Sequence, residues 1–368
     1  MPEYLNTYYF AYYFLMIAFS VLITLLSIPS ILHVARTRHL YDDVGHFRKQ
    51  HDHGIPRLGG VAIFVSFIIT LLLFSIIDKN IPVSYLLTAS IVLFIMGVKD
   101  DLSGVNSSTK FLIQFIVATI LVILGDIRFT SMYGIFGLTN ISYLTSAVLS
   151  VLFIILIINA FNLIDGIDGL AATTCIIVNG AFSILFISMK HYEMAAVSLT
   201  IVGAVVGFLR FNLTPAKIFM GDAGSLLIGL ISAIMAVKFI EFNKFTSSVN
   251  VPAVISAPAL TFAILIGPIF DTLRVFTLRV AQGKSPFAAD RNHIHHRILR
   301  LGYTHLQTTF LLAGINIMLI IIVFAFAHLG NFTLMVLILS ASLLFNWAIT
   351  FFLRSKERAS LSVRNLFV

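Results

Sequence analysis

Only 16 of 368 residues are Asp or Glu, so the places where they gather are informative. Asp100 and Asp101 are adjacent in GVKDDLSG. Asn159, Asn162, Asp165 and Asp168 recur every third residue in NAFNLIDGIDGLA. Asp222 stands in KIFMGDAGS and Asp271 in PIFDTLRVF. Carboxylates brought together repel one another unless a cation intervenes. Mg²⁺ suits that role, because it takes hard oxygen ligands and keeps waters or substrate phosphates in its remaining positions. A lone Asp at a helix end is often only a cap. An Asn-x-x-Asn-x-x-Asp-x-x-Asp ladder at the mouth of an apolar stretch has little use as packing. If that segment is helical, the spacing puts Asp165 and Asp168 on one face, and Gly166 and Gly169 leave room for a ligand beside the backbone.

The basic side chains form two further groups. His293, His295, His296 and Arg297 fall within five residues, flanked by Arg291 and Arg300. HFRKQHDHGIPRLGG, residues 46–60, adds His46, Arg48, Lys49, His51, His53 and Arg57. Arg and His in such density suit phosphate recognition. A zinc site would need a Cys or a His-Glu-x-x-His pair to complete it. Gly283-Lys284-Ser285 is no P-loop, since Leu278 stands where the first glycine belongs. The bland alternative for 281–306 is an amphipathic helix lying at a membrane interface.

The elements that must position these groups are membrane spans. The chain is 59% hydrophobic and 11% charged, with a mean hydropathy of +1.00. A soluble domain is nearer one quarter charged, so a soluble enzyme, a disordered scaffold and a secreted disulfide framework are excluded. The single Cys175 leaves no internal bridge. A ruler of about 20 apolar residues gives eleven spans near 9–32, 59–77, 81–98, 110–125, 140–158, 170–188, 193–209, 224–240, 252–280, 307–328 and 332–353. The expected fold is therefore an all-α polytopic bundle forming one domain over 1–368. The first span lacks a basic leader and reads as an anchor.

Eleven spans divide the connections into two sets. Loops 33–58, 99–109, 159–169, 210–223 and 281–306, the tail from Arg354 and the adjoining span ends hold 19 of the 24 Lys and Arg. By the positive-inside rule this set is cytoplasmic, with the N-terminus outside and the C-terminus inside. All the acids singled out above fall on that same face. The net charge of +8 thus marks topology, and no nucleic-acid partner is implied. An acidic centre ringed by His and Arg suits a diphosphate substrate, and apolar helices around it suit a lipid co-substrate. A secondary transporter is the other class that intramembrane acids serve, although its sites normally lie near the bilayer midplane in repeated halves.

Five blocks between about residues 46 and 300, IPRLGG, KDDL, NAFNLIDGIDGLA, FMGDAGSLLIG and ADRNHIHHR, resemble the polyprenyl-phosphate N-acetylhexosamine-1-phosphate transferase family. The His-x-His-His block is similar to that of the branch starting O-antigen, common antigen and wall teichoic acid, whereas the peptidoglycan branch carries Pro-x-His-His-His. The resemblance implies transfer of a sugar 1-phosphate from a UDP-N-acetylhexosamine, most simply UDP-GlcNAc, to undecaprenyl phosphate in the bacterial inner membrane. UMP is released, and Mg²⁺ is the cofactor, with Mn²⁺ as a substitute. It implies Asp222 and Asp101 as metal ligands, and Asp100, Asp101 and Asp168 as catalytic acids. Asn162, Asp165, Asn212, Phe219, Arg57, His293, His295, His296 and Arg297 are implied to bind substrate, with the Phe219 ring on the uracil. Two positions depart from the family pattern: Gly104 replaces a third Asp after the pair, and Ala223 stands where Thr or Val is common. The sugar, the polyprenyl length, the oligomeric state (a homodimer included) and the choice between direct attack and an aspartyl intermediate stay open at this level.

Overall fold

The computed structural model describes residues 9–40, 54–74, 83–246, 254–283 and 292–366. Twelve α-helices account for most of them: α1 (Tyr9–Thr37), α2 (Gly59–Leu73), α3 (Val83–Ser103), α4 (Ser107–Ile123), α5 (Tyr143–Ile164), α6 (Leu170–Ser188), α7 (Tyr192–Asn212), α8 (Gly221–Thr246), α9 (Ala257–Ala281), α10 (Ile294–Leu301), α11 (His305–Ala325) and α12 (Asn331–Leu366). Two 3-10 turns and one isolated antiparallel bridge, Ser131 with Asn140, complete the regular structure of the described residues. Nine of the helices are long and apolar enough to cross a bilayer, and α2 and α4 are shorter apolar helices of 15 and 17 residues. The protein is a polytopic membrane helical bundle.

The helices overrun the hydropathy ruler at the end where the acids lie. α3 continues to Ser103, α5 to Ile164 and α7 to Asn212, while α8 begins at Gly221. Loops predicted over 99–109, 159–169 and 210–223 are accordingly shorter, and Asp100, Asp101 and Asp222 sit on terminal helical turns. The ruler stops where apolar residues stop, whereas backbone hydrogen bonding carries a helix on into the polar interface. α1 likewise extends past 32 and α12 past 353. At the opposite end the apolar ruler overshoots: α9 starts only at Ala257, with Pro258 in its first turn, and α5 at Tyr143 behind a Ser142 cap that accepts from Thr145 N.

α8 is the axis of the bundle. It packs against α2, α3, α5, α6, α7 and α9, and its apolar side chains from Ala223 to Phe239 are buried on every side, as expected of a helix hydrophobic all round. Without a hydrophobic force between helices in lipid, close backbone approach carries much of the packing. A Cβ on Gly60 would lie 2.1 Å from Gly224 N, and one on Gly97 would lie 2.5 Å from Ala223 Cα. α2 and α3 therefore touch the first turn of α8 backbone to backbone, and Ala223, the departure noted in the sequence, lies in that contact.

Enlarging this contact has a definite consequence. Gly97→Leu should destabilise the detergent-solubilised protein by more than the ~1–3 kcal/mol of ordinary overpacking, because backbone cannot yield as a side chain does. Gly180→Ala, where an added Cβ meets nothing within 4 Å, should leave it unchanged. Thermal unfolding followed by size-exclusion chromatography distinguishes the two.

Candidate active site

The first turn of α8 has backbone N–H groups with no intrahelical acceptor. Asp101, in the last turn of α3, supplies one: its Oδ1 accepts from Asp222 N at 2.7 Å and its Oδ2 from Ala223 N at 3.0 Å. Gly221 makes this possible. Its φ of +72° is left-handed, and a Cβ there would fall 2.6 and 2.7 Å from the Asp101 oxygens. The same turn is braced by main-chain pairing with the IPRLGG segment, in which Phe219 N donates to Pro56 O, Gly59 N to Phe219 O and Gly60 N to Met220 O.

Around Asp222 three of the acids singled out in the sequence gather, Asp100, Asp101 and Asp165, whereas Asp168 and Asp271 pair with histidines. Asn162 on α5 donates from Nδ2 to Asp222 Oδ1 and to Ser225 Oγ, both at 2.9 Å. Asp100 faces the same point. Between them lies Lys110 of α4, its Nζ donating to Asp100 Oδ2 at 2.5 Å and to Asp222 Oδ2 at 2.7 Å. Lys110 was not singled out in the sequence, where it reads as one more basic residue at a span end. The available clue was its place in the first turn of an apolar helix directly after the Asp pair. Asp100 also accepts from Val105 N at 2.6 Å, and Gly104, with φ +72°, is the left-handed residue that ends α3. The position of the family's third Asp is thus a helix terminator here.

Asp165 is the C-cap of α5, where the helix stops. Burial first, then the carboxylates of Asp222 and Asp101, push its carboxyl well above the usual range, while the Gly221 N–H and Arg57 pull it down. The expected single face for Asp165 and Asp168 is not found, because the chain leaves the helix between them and turns through Gly169 at φ +78°. Asp168 instead lies 3.2 Å from His305 Nδ1, and its main-chain oxygen accepts from Thr309 of α11. Asn159 continues the ladder into the bundle, donating to Gln114 of α4 at 2.6 Å.

Several predicted substrate ligands are engaged elsewhere. Asn212 is buried, its Oδ1 taking Gly169 N and its Nδ2 giving to Ile218 O, both at 2.9 Å. It ties two loops together through both ends of its amide. Phe219 is half-buried and Arg57 is exposed. Arg297 is held by α12: its guanidinium donates to Asn346 Oδ1 at 2.5 Å and Thr350 Oγ1 at 2.6 Å. Neutral acceptors on α12 thus fix the guanidinium that was expected to grip substrate.

The histidine arm is α10, hung from Asp271. One carboxylate of α9, buried at 4% exposure, meets His293 Nδ1 at 2.9 Å and accepts from Ile294 N at 2.9 Å and from Arg274 at 3.1 Å. Arg274 also donates to Asn292 O. Lys356 of α12 caps the far end of the helix on Arg300 O and Leu301 O. So held, His295 directs Nε2 at Gly166, where a Cβ would lie only 2.5 Å away. That nitrogen is buried and has no hydrogen-bond partner among the described residues. His296 stacks obliquely on His295, ring centroids 4.3 Å apart. A largely apolar cavity of about 180 Å³ between α6, α9, α11 and α12 opens beside His295 and Asp271.

Among the described residues no three His, Cys, Asp or Glu side chains form a closed metal cage. The centre is instead two carboxylates, Asp100 and Asp222, facing across one cationic position filled by Lys110. One or two carboxylates are how Mg²⁺ is usually held, with phosphate and water completing its shell.

Sequence comparison decides the family. The chain is 31% identical over 72% of its length to the decaprenyl-phosphate N-acetylglucosaminephosphotransferase of Mycolicibacterium smegmatis, covering 70% of that protein. The chain belongs to the polyprenyl-phosphate N-acetylhexosamine-1-phosphate transferase family. A second such relative, from Mycobacterium leprae, is also 31% identical, with 72% of this chain and 71% of that one aligned. The undecaprenyl-phosphate alpha-N-acetylglucosaminyl 1-phosphate transferase of Escherichia coli is 29% identical over 83% of both chains. The profile of glycosyl transferase family 4 matches residues 83–240, which hold Asp100, Asp101, Lys110, Asn162, Asp165, Asp168 and Asp222. The histidine arm lies beyond that match. Membership in a transferase family sets the transporter reading aside.

His295 gives a stability signature. Burial, then His296, lower its pKa from 6.5 to about 3, so the unfolded chain binds the extra proton between those values. Its contribution is complete above about pH 6.5 and is lost as pH falls. At pH 5 the loss is at most about 2 kcal/mol. Thermal unfolding of wild type should weaken between pH 7 and 5 more steeply than that of His295→Gln.

Proposed function

We propose that this protein transfers N-acetylglucosamine 1-phosphate from UDP-N-acetylglucosamine to undecaprenyl phosphate, releasing UMP. The reaction belongs at the cytoplasmic face of a bacterial inner membrane, as the first lipid-linked step of an envelope polysaccharide such as an O-antigen or teichoic acid. The observation that carries the reading is the Asp100–Lys110–Asp222 centre in a chain whose relatives are named for this transfer. The orientation rests on the Lys and Arg asymmetry of the loops.

In this reading Asp100 and Asp222 would hold Mg²⁺, with Asn162 fixing the Asp222 carboxylate. When bound, the ion offsets the charge of the diphosphate oxygens, the principal task in phosphoryl transfer. Asp101 orients Asp222 by holding its backbone. An oxygen of the lipid phosphate attacks the phosphorus attached to the sugar, and the bond from that phosphorus to the bridging oxygen breaks, so that UMP leaves with the electron pair. The lipid phosphate has a second pKa near 6 and needs little help to lose its proton at neutral pH. Positioning and charge neutralisation therefore outweigh proton abstraction by Asp100. His295, presented from α10 towards Gly166, and the neighbouring His296 would meet the sugar or its phosphate. The apolar cavity beside them gives an isoprenoid tail a seat of matching chemistry.

Purified protein with UDP-GlcNAc, undecaprenyl phosphate and Mg²⁺ should release UMP and form a lipid-diphosphate-GlcNAc of the corresponding mass, and EDTA should abolish both. Asp222→Asn should lower the rate by roughly 100- to 1,000-fold. Asp271→Asn, acting through the arm it supports, should lower it by roughly tenfold. Equal losses would refute this division of roles, and turnover only with another UDP-N-acetylhexosamine would overturn the sugar.

A further inference from the structure

Lys110 reaches from the first turn of α4 into the gap between α3 and α8, its side chain only 25% exposed. Two of the three ammonium protons are spent on Asp100 Oδ2 and Asp222 Oδ2. Those are the oxygens through which a divalent ion would join the same two helices. A singly charged ammonium and a doubly charged ion cannot share that gap, since like charges a few ångströms apart repel strongly where water is scarce.

We infer that Lys110 is a tethered counter-cation that fills the Asp100–Asp222 seat until a divalent metal ion displaces it. The inference rests on the reading of that pair as the metal seat. With the lysine in place half of the charge on the facing carboxylates is offset without metal, and the first turn of α8 keeps its geometry in the empty enzyme. A bare ion must expel the ammonium and leave it without an anion beside it. A metal–diphosphate chelate brings that anion with it, so the seat favours the chelate over the free ion. Both ligands then report on one side chain.

Mn²⁺ binding to the detergent-purified full chain, followed by electron paramagnetic resonance without nucleotide, tests this. Lys110→Gln should bind Mn²⁺ about tenfold more tightly than wild type, and Lys110→Arg, which keeps the charge, should not. In unmutated protein, acetylation of Lys110 read by mass spectrometry should rise several-fold when Mn²⁺ is added. A folded Lys110→Gln protein with unchanged or weaker Mn²⁺ affinity would overturn the inference, as would Lys110 labelling indifferent to saturating Mn²⁺. If the Gln variant fails to fold, the wild-type labelling decides. Absence of Mn²⁺ binding in every form would overturn the metal reading itself, a failure distinct from binding without competition.

Discussion

Two backbone N–H groups at the start of α8 need acceptors, and Asp101 is placed to satisfy both. Most of the site follows from that contact. It fixes α3 against α8 at a separation that only Gly97 and Ala223 allow, and it requires the left-handed Gly221. It also sets the neighbouring side chains. Asp100, one residue earlier on the same turn, is turned to the opposite side of the α8 terminus, where Lys110 and Asp222 meet it. The adjacent Asp pair is thus a division of labour: one carboxylate is bound to main chain, and the other is left facing a cation. A helix N-terminus carries a partial positive charge, which favours both Asp101 and Asp222 where they stand.

The class of fold was legible because it depends on composition and run length, which lipid makes decisive. The acid cluster was legible because acids are scarce and alternation of spans forces them to one face. What the sequence concealed is direction. Asp165 and Asp168 share a spacing, but the C-cap at Asp165 and the left-handed Gly169 send them to different partners, and nothing local marks where α5 stops. Arg297 stands in a run of anion-binding residue types, yet its partners, Asn346 and Thr350, are about fifty residues away. Asn212 and Lys110 fail the same way in opposite senses. The first resembles a ligand and serves as a brace between loops, and the second resembles a topogenic charge and lies at the centre of the acids. Side-chain roles set by contacts distant in sequence are invisible to spacing.

α10 shows how eight residues outside the bilayer spans are given a fixed orientation. Alone, a helix so short is unstable in water. Its start is bound to Asp271, its middle to α12 through Arg297, and its end to Lys356, while Ile294 and Ile298 pack on Ile349. The polar bonds fix its direction and the small apolar cluster fixes its height. His295 is then left with one ring nitrogen unsatisfied, an arrangement that only a ligand or a mobile side chain relieves.

A rod clamped at both ends and at its midpoint cannot roll about its own axis. The clamps on α10 belong to two different helices, α9 at one end and α12 at the middle and the other, so the roll angle of the histidines is a function of where those two helices stand relative to each other. The sideways spacing of two helices is thereby converted into the bearing of an imidazole, much as the spacing of two pegs sets the tension and pitch of a string.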